Sequence, residues 1–327
     1  MKISVVMTTY NGSKHIEEQL NSILNQTRQP DEVIICDDRS EDDTVNMVRQ
    51  FITDYRLNNW NIFINNINLG WKKNFRKAIA LASGDIIFFS DQDDIWIAEK
   101  IKIMSSLVEK YDMGCLYGES EKIDENGHPV VELNKVNAFT GALDKIQYSS
   151  SFYSAGGLGC CMCINRKIAN KYLELNVEED DHDSQCPRIA LLYDTLWHID
   201  MAVIKYRVYP GNTSGISNQY SFGTSNLKQR IADVEIIREW LKEVDKDKDV
   251  EELRRRDIIM MMKTLDKRIE YLKNDNVCFV SLIPYYKYFS GITMLLGDFS
   301  YKHDLNKEMG KVRWKYDKIK AMLKRHF

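Results

Sequence analysis

Three aspartates, Asp91, Asp93 and Asp94, fall within four residues at the end of the run Ile86-Ile87-Phe88-Phe89-Ser90. Carboxylates at this spacing can hold a hard divalent cation, an Asp-x-Asp pair supplying ligands while waters and phosphate oxygens complete the shell. The run before them is short and apolar, as in a strand buried on both faces. Packing does not explain three acids at its end, because an ionised carboxylate is costly to bury without a partner. In an open α/β sheet the carboxyl ends of the strands are where ligands sit. The plainer reading is an acidic turn in which Asp94 caps a helix over Ile95–Lys110.

Two further strand ends carry polar or acidic groups. Ile3–Met7 reads as a first strand, ending in Thr8-Thr9-Tyr10-Asn11-Gly12, where small and polar residues let backbone approach a ligand. Glu32–Cys36 reads as a second, ending in Asp37-Asp38. In a parallel sheet these ends and Asp91–Asp94 share one edge. The connecting segments have helical periodicity. Ser13 is expected to cap a helix carrying Ile16, Leu20, Ile23 and Leu24, and Ser40 or Asp42 to start one through Thr44, Met47, Val48 and Phe51. Asn61–Ile64 is a third strand, Asn68-Leu69-Gly70 a turn, and Asn74–Ser83 a helix closed by Gly84. The alternation predicts βαβ units and an α/β fold with a mostly parallel central sheet. No G-x-G-x-x-G follows the first strand and no G-x-x-x-x-G-K-[ST] occurs, so neither a dinucleotide fingerprint nor a P-loop is present.

At 327 residues the chain has room for about two domains, and 44% hydrophobic and 28% charged residues is an ordinary globular composition. A net charge of −3 gives no footprint for nucleic acid. Seven scattered cysteines do not make a disulfide framework and read as reduced thiols of a cytoplasmic protein. Lys2 leads straight into the Ile3–Met7 strand, with no signal-peptide pattern, and no apolar stretch reaches transmembrane length.

Together, Val5–Asn11, Gln26-Thr27, Asp37–Asp42, Asn68-Leu69-Gly70 with Asn74, and Ser90–Trp96 resemble glycosyltransferase family 2, in order and at family-like spacing over most of residues 1–100. The S-D-Q-D-D-I-W form is similar to the subgroup described as rhamnosyltransferases. The resemblance implies a GT-A fold and an inverting, metal-dependent glycosyltransferase. Its donor would be a nucleotide sugar, dTDP-rhamnose or a UDP-sugar, and its acceptor a glycan or lipid-linked glycan of cell-surface polysaccharide synthesis. Thr9 and Tyr10 would line the nucleobase pocket, the Tyr10 ring offering a stacking face. Asp37 or Asp38 would accept from the base N–H, and Lys73 would lie near the nucleotide. Thr8, Asn11 and Gly70 complete the nucleotide-binding set. Asp91 would contact ribose or metal-bound water, and Asp93 would ligate Mg²⁺ or Mn²⁺ against the diphosphate leaving group.

Residues 101–220 read as the acceptor half of a catalytic domain spanning 1–220, with 1–100 the nucleotide half. Gly114–Ile123 is a strand and Asp124–Gly127 a turn. Cys160-Cys161-x-Cys163 lacks paired C-x-x-C spacing and sits in an apolar stretch, so metal binding is not expected of it. By resemblance, Gly156–Gly159 is a loop beside the reacting sugar. Glu178–Asp183 reads in isolation as a solvated acidic run. The resemblance singles out His182-Asp183 within it, with Asp183 the general base and Asp181 the runner-up. Asp180 and Asp181 would raise the pKa of Asp183 if close to it. Tyr206–Gly215 matches a Y-R-x-H-x-x-N-x-x-G pattern except that Tyr209 stands where His is usual. Arg207 is expected to pair with the diphosphate.

Residues 221–327 read as a helical extension, with helices around Leu227–Leu241 and Leu253–Leu272. Its tail, Lys311–Phe327, is basic and interleaved with Trp314, Ile319, Met322 and Leu323. That pattern fits a helix packed on its own domain, or a peripheral surface resting on an anionic membrane at the inner face of the cell. Two other functions fit parts of the pattern: a nucleotide-sugar-binding protein without transferase activity, and a sugar-nucleotide pyrophosphorylase. The second would want a Gly-rich, cationic loop after the first strand, which Thr8–Asn11 is not.

Overall fold

Strand β1 (Ile3–Thr9) is buried along its whole length, as expected for a central parallel strand covered on both faces. The structure is a computed structural model, and it describes residues 1–130, 140–149, 155–175, 177, 181–209, 227–288 and 292–303. β1 pairs in parallel with β2 (Glu32–Asp37) on one side and β4 (Ile86–Ser90) on the other, so that Val6 lies between Ile34 and Phe89. β3 (Trp60–Ile64) extends the parallel set beyond β2. The carboxyl ends of β1, β2 and β4 therefore share one edge, as the sequence predicts.

Beyond β4 the sheet is mixed. β5 is Ile95–Trp96, β6 Cys115–Ile123, β7 Leu143–Lys145, β8 Met162–Asn165 and β9 Leu196–Arg207. The order is β3-β2-β1-β4-β8-β6-β9-β5, with β7 paired to β9. β8 runs antiparallel to both β4 and β6, while β6 and β9 are parallel. The helices of this unit are α1 (Ile16–Leu24), α2 (Thr44–Asp54), α3 (Trp71–Leu81), α4 (Lys100–Tyr111), α5 (Arg166–Glu174) and α6 (His182–Leu192). α1 buries Ile16, Leu20 and Ile23 on one stripe, and α3 buries Asn74, Phe75, Ala78 and Ile79.

Several local expectations are corrected. α1 begins at Ile16 rather than after Ser13, whose amide donates to Asp42 Oδ2 (3.0 Å). α2 begins at Thr44, its amide donating to Asp42 Oδ1 (3.0 Å). α3 ends at Leu81, and Gly84 is not its cap: the Gly84 amide donates to Ser4 Oγ (2.7 Å) at the start of the next strand. Asp94 caps no helix, because Ile95–Trp96 is a strand and α4 starts only at Lys100.

The described residues of 1–148 and 155–207 form one compact unit, and Ser149, Val208, Tyr209 and those of 227–303 belong to a second. The boundary expected near residue 220 falls in 210–226, and the basic tail in 304–327, both outside the described residues. The second unit contains α7 (Leu227–Asp245), α8 (Glu252–Lys273), a 3₁₀ stretch (Phe279–Tyr288) and α9 (Ile292–Lys302). Asp298 of α9, fully buried, accepts from Arg268 Nε (2.7 Å) and Nη2 (3.0 Å) of α8 and from Arg230 Nε (3.0 Å) of α7. Removing one partner of a buried ion pair strands the other's charge. Asp298→Ala is expected to destabilise this unit by about 3–5 kcal/mol, read as a lower urea midpoint, and an unchanged midpoint would show the triad to be dispensable.

Candidate active site

The ends of β1 and β2 are lashed together by side chains. Thr9 Oγ1 donates to Asp37 Oδ2 (2.7 Å), and Asp37 also accepts from the Ser40 amide (2.8 Å) and hydroxyl (2.6 Å). Asn11, at φ 48°, receives the Glu41 amide on its side-chain oxygen (2.8 Å) and donates its own amide to Ser40 Oγ (2.9 Å). From the third strand end, Gln92 reaches back to β1: its Oε1 accepts from Tyr10 N–H (2.8 Å) and its Nε2 donates to Tyr10 O (3.0 Å). The residue between the first two acids of the 91–94 turn is thus the clip that brings this turn to the end of β1.

Asp38 secures the other side. Its Oδ1 accepts from Asn65 Nδ2 (2.8 Å) and the Leu69 amide (2.7 Å), and its Oδ2 from the Gly70 amide (2.8 Å). Asn65 also donates to Asn74 Oδ1 (2.8 Å), and Asn74 to Cys36 O (2.7 Å), so the start of α3 is fixed to the end of β2. Gly70, at φ 79°, makes the turn into α3, a backbone state that a side chain would strain. Asp37 and Asp38 are both buried and act first as fasteners of these loops. Thr8 and Thr9 are buried as well, whereas Tyr10 is 47% exposed and Lys73 is exposed on the first turn of α3.

Arg207, expected to pair with a diphosphate, makes protein contacts around the acidic turn. It is 1% exposed, at the end of β9, and its guanidinium donates to Asp93 O (2.8 Å), Glu125 O (2.8 Å) and Glu18 Oε2. Its amide donates to Asp94 Oδ1 (3.1 Å). It therefore ties the acidic turn to the end of β9 through the Asp93 carbonyl and the Asp94 carboxylate.

Above it the acids crowd. Donor atoms of Asp91, Asp94 and Cys160 lie within 4.8 Å of one another. Asp94 Oδ2 is buried and accepts no N–H or O–H hydrogen bond among the described residues. Burial, then the charges of Asp93 and Asp183, push the Asp91 carboxyl up to about 7. An orphaned carboxylate oxygen and an acid strained by its own kind are what a divalent cation would relieve, so these residues fit one. Cys160 is the element sequence spacing missed: its place beside the acids comes from β8 pairing with β4, not from any C-x-x-C repeat.

Asp183 enters from the first turn of α6. Asp181 is the cap of that helix, its Oδ1 accepting from the Ser184 amide (2.8 Å), while Asp180 lies outside the described residues. Asp183 is brought into the field of Asp91, and the Asp183 carboxylate packs against Gly159. A Cβ at Gly159 would overlap Asp183 Oδ1 and come within 2.6 Å of His182 Nε2. The missing side chain at Gly159 thus makes room for the acid itself. Gly159→Ala should displace that carboxylate and lower kcat by about 10²-fold, in keeping with the cost of an ångström-scale misplacement. Unaltered turnover in that variant would mean the carboxylate position does not matter.

A profile of glycosyl transferase family 2 matches residues 4–173. The chain is 31% identical over 181 residues to the UDP-Glc:alpha-D-GlcNAc-diphosphoundecaprenol beta-1,3-glucosyltransferase of Escherichia coli, covering 55% of this chain and 66% of that one. It is 28% identical over 221 residues to a dTDP-rhamnosyl transferase of Shigella flexneri, covering 64% and 73%. Among solved structures, Staphylococcus aureus TarS 1-349 in complex with UDP-GlcNAc superposes with a TM-score of 0.60 at 18% identity, over 97% of this chain and 92% of that chain. A mannosyltransferase of Pyrobaculum calidifontis in complex with GDP-Man and Mn²⁺ superposes with a TM-score of 0.52 at 14% identity, over 93% and 87%.

Proposed function

The chain belongs to glycosyl transferase family 2 and has the GT-A fold; from that premise we propose that it transfers a sugar from a nucleotide sugar to a glycan or lipid-linked glycan by a single, inverting displacement. The observation that carries this reading is the meeting of Asp183, delivered by α6, with the Asp91–Asp94 turn at the carboxyl edge of the parallel strands. An acid carried by a different element thereby lies beside a cluster of acids, one for the proton and the others for a cation.

The exposed Tyr10 ring offers the nucleobase a face, and Asp38 Oδ2 retains capacity for a base N–H beside the Gly70 amide it already accepts. Asp91 and Asp93 are the expected holders of Mg²⁺ or Mn²⁺, and the convergence of donor atoms adds Asp94 to them. When bound, such a cation neutralises charge on the diphosphate. Asp183 takes the proton of the attacking hydroxyl. Arg207 and Gln92 hold the acidic turn in register with β1. The named activities of the relatives favour UDP-glucose and dTDP-rhamnose as the first donors to test.

The test is a donor panel. Nucleoside diphosphate released from UDP- and dTDP-sugars, with and without a lipid-linked glycan acceptor, should rise on acceptor addition for one donor. Binding without release would indicate a nucleotide-sugar-binding protein. Inorganic pyrophosphate formed from a sugar 1-phosphate and a nucleoside triphosphate would indicate a pyrophosphorylase.

A further inference from the structure

His182 is a polar ring in an apolar box. It is 1% exposed, and its centroid lies 4.1 Å from that of Phe75, 4.6 Å from that of Phe89 and 6.2 Å from that of Trp71. Nδ1 is buried and has no hydrogen-bond partner among the described residues. Nε2 lies 2.8 Å from Asp183 Oδ1, in a contact too bent to be an aligned hydrogen bond but close enough for strong charge interaction. The same two atoms occupy the space that a side chain at Gly159 would need. A ring there for packing alone would be better as phenylalanine, since an imidazole buried with an orphan nitrogen carries a desolvation cost.

We propose that His182 is a positioning residue for Asp183, a boxed imidazole that holds Oδ1 and leaves Oδ2 to receive the acceptor's proton. This rests on Asp183 being the base. With no acceptor at Nδ1, the neutral ring is assigned its proton on Nε2, the nitrogen 2.8 Å from the carboxylate. Burial pulls the ring's pKa down, but the carboxylates of Asp183, Asp91 and Asp181 together hold it above its ordinary value. The ring therefore presents positive charge or an N–H to Oδ1. In the transfer step the acceptor O–H bond breaks and its proton passes to Oδ2. The acceptor oxygen bonds to the anomeric carbon, and the bond from that carbon to the diphosphate breaks, its electron pair leaving on the diphosphate. His182 touches none of the reacting atoms; it acts through Asp183.

Three variants test this, using whichever UDP- or dTDP-sugar the donor panel finds active. His182→Phe fills the box without a donor. It should lower kcat by about 10²-fold, leave the donor KM within about twofold and leave the melting temperature equal or higher. His182→Gln keeps a donor and should recover to within about tenfold of the wild type. Long-range ¹H–¹⁵N histidine spectra of the protein alone, assigned with His182→Gln, should show the His182 ring protonated at Nε2 and shifted in Asp183→Asn. Wild-type kcat in His182→Phe, or equal losses in both His182 variants with a fallen melting temperature, would overturn the proposal. So would a His182 signal indifferent to Asp183→Asn. If Asp183→Asn itself stays active, the base assignment fails instead, and the spectra still report whether the contact exists.

Discussion

Asp183→Asn keeps the fold and the affinity for UDP and loses turnover by about 10²–10⁴-fold, the usual cost of deleting a positioned base. Asparagine matches aspartate in size, so it fits against Gly159 as the native residue does and leaves the start of α6 unchanged. It cannot take up a proton, so the loss belongs in kcat rather than in donor binding. Asp181→Asn is the matched control. Asp181 caps α6 through the Ser184 amide, and asparagine caps about as well as aspartate, so stability and turnover should both stay near the wild type. A dead Asp181→Asn beside an active Asp183→Asn would move the base to the capping residue.

Asp93→Asn, or removal of divalent metal with EDTA, should cost about 10²-fold or more in kcat/KM. A cation at a diphosphate stabilises developing charge by several kcal/mol, and about 1.4 kcal/mol is a factor of ten. Calorimetric affinity for UDP in Mn²⁺ should fall in the variant and become insensitive to EDTA, while the melting temperature without metal is unchanged. A proton competes with the cation for Asp91, which burial and its acidic neighbours push up to about 7. Metal-dependent UDP binding should therefore strengthen as pH rises through about 7 and weaken as it falls. Full activity in EDTA would remove the cation from the account.

What the sequence disclosed depended on range. The alternation of apolar strands and amphipathic helices to residue 100 follows from local pattern, and so does the gathering of three strand ends once the strands are taken as parallel. β8 is another matter: an apolar run buried on both faces reads alike in either direction, so its antiparallel insertion between β4 and β6 leaves no local mark. Asp94 resembled a helix cap because it precedes a periodic segment, yet the amide it accepts belongs to Arg207, more than a hundred residues away. The carbonyl partners of Arg207, Asp93 O and Glu125 O, are likewise invisible in sequence, since they lie more than eighty residues from it. His182 could be seen beside Asp183, but its box of Trp71, Phe75 and Phe89 is assembled by α3 and β4 meeting α6.

The central claim is a single displacement with one protein base, and the anomeric configuration of the product tests it most directly. A donor of known configuration, taken from the panel, would be turned over and the isolated product examined by NMR through its anomeric proton and carbon couplings. Attack on the anomeric carbon by an acceptor deprotonated by Asp183 predicts a product inverted relative to the donor. A product of retained configuration would contradict the account, because it would require a second displacement and a nucleophile for which Asp183 as sole base leaves no role.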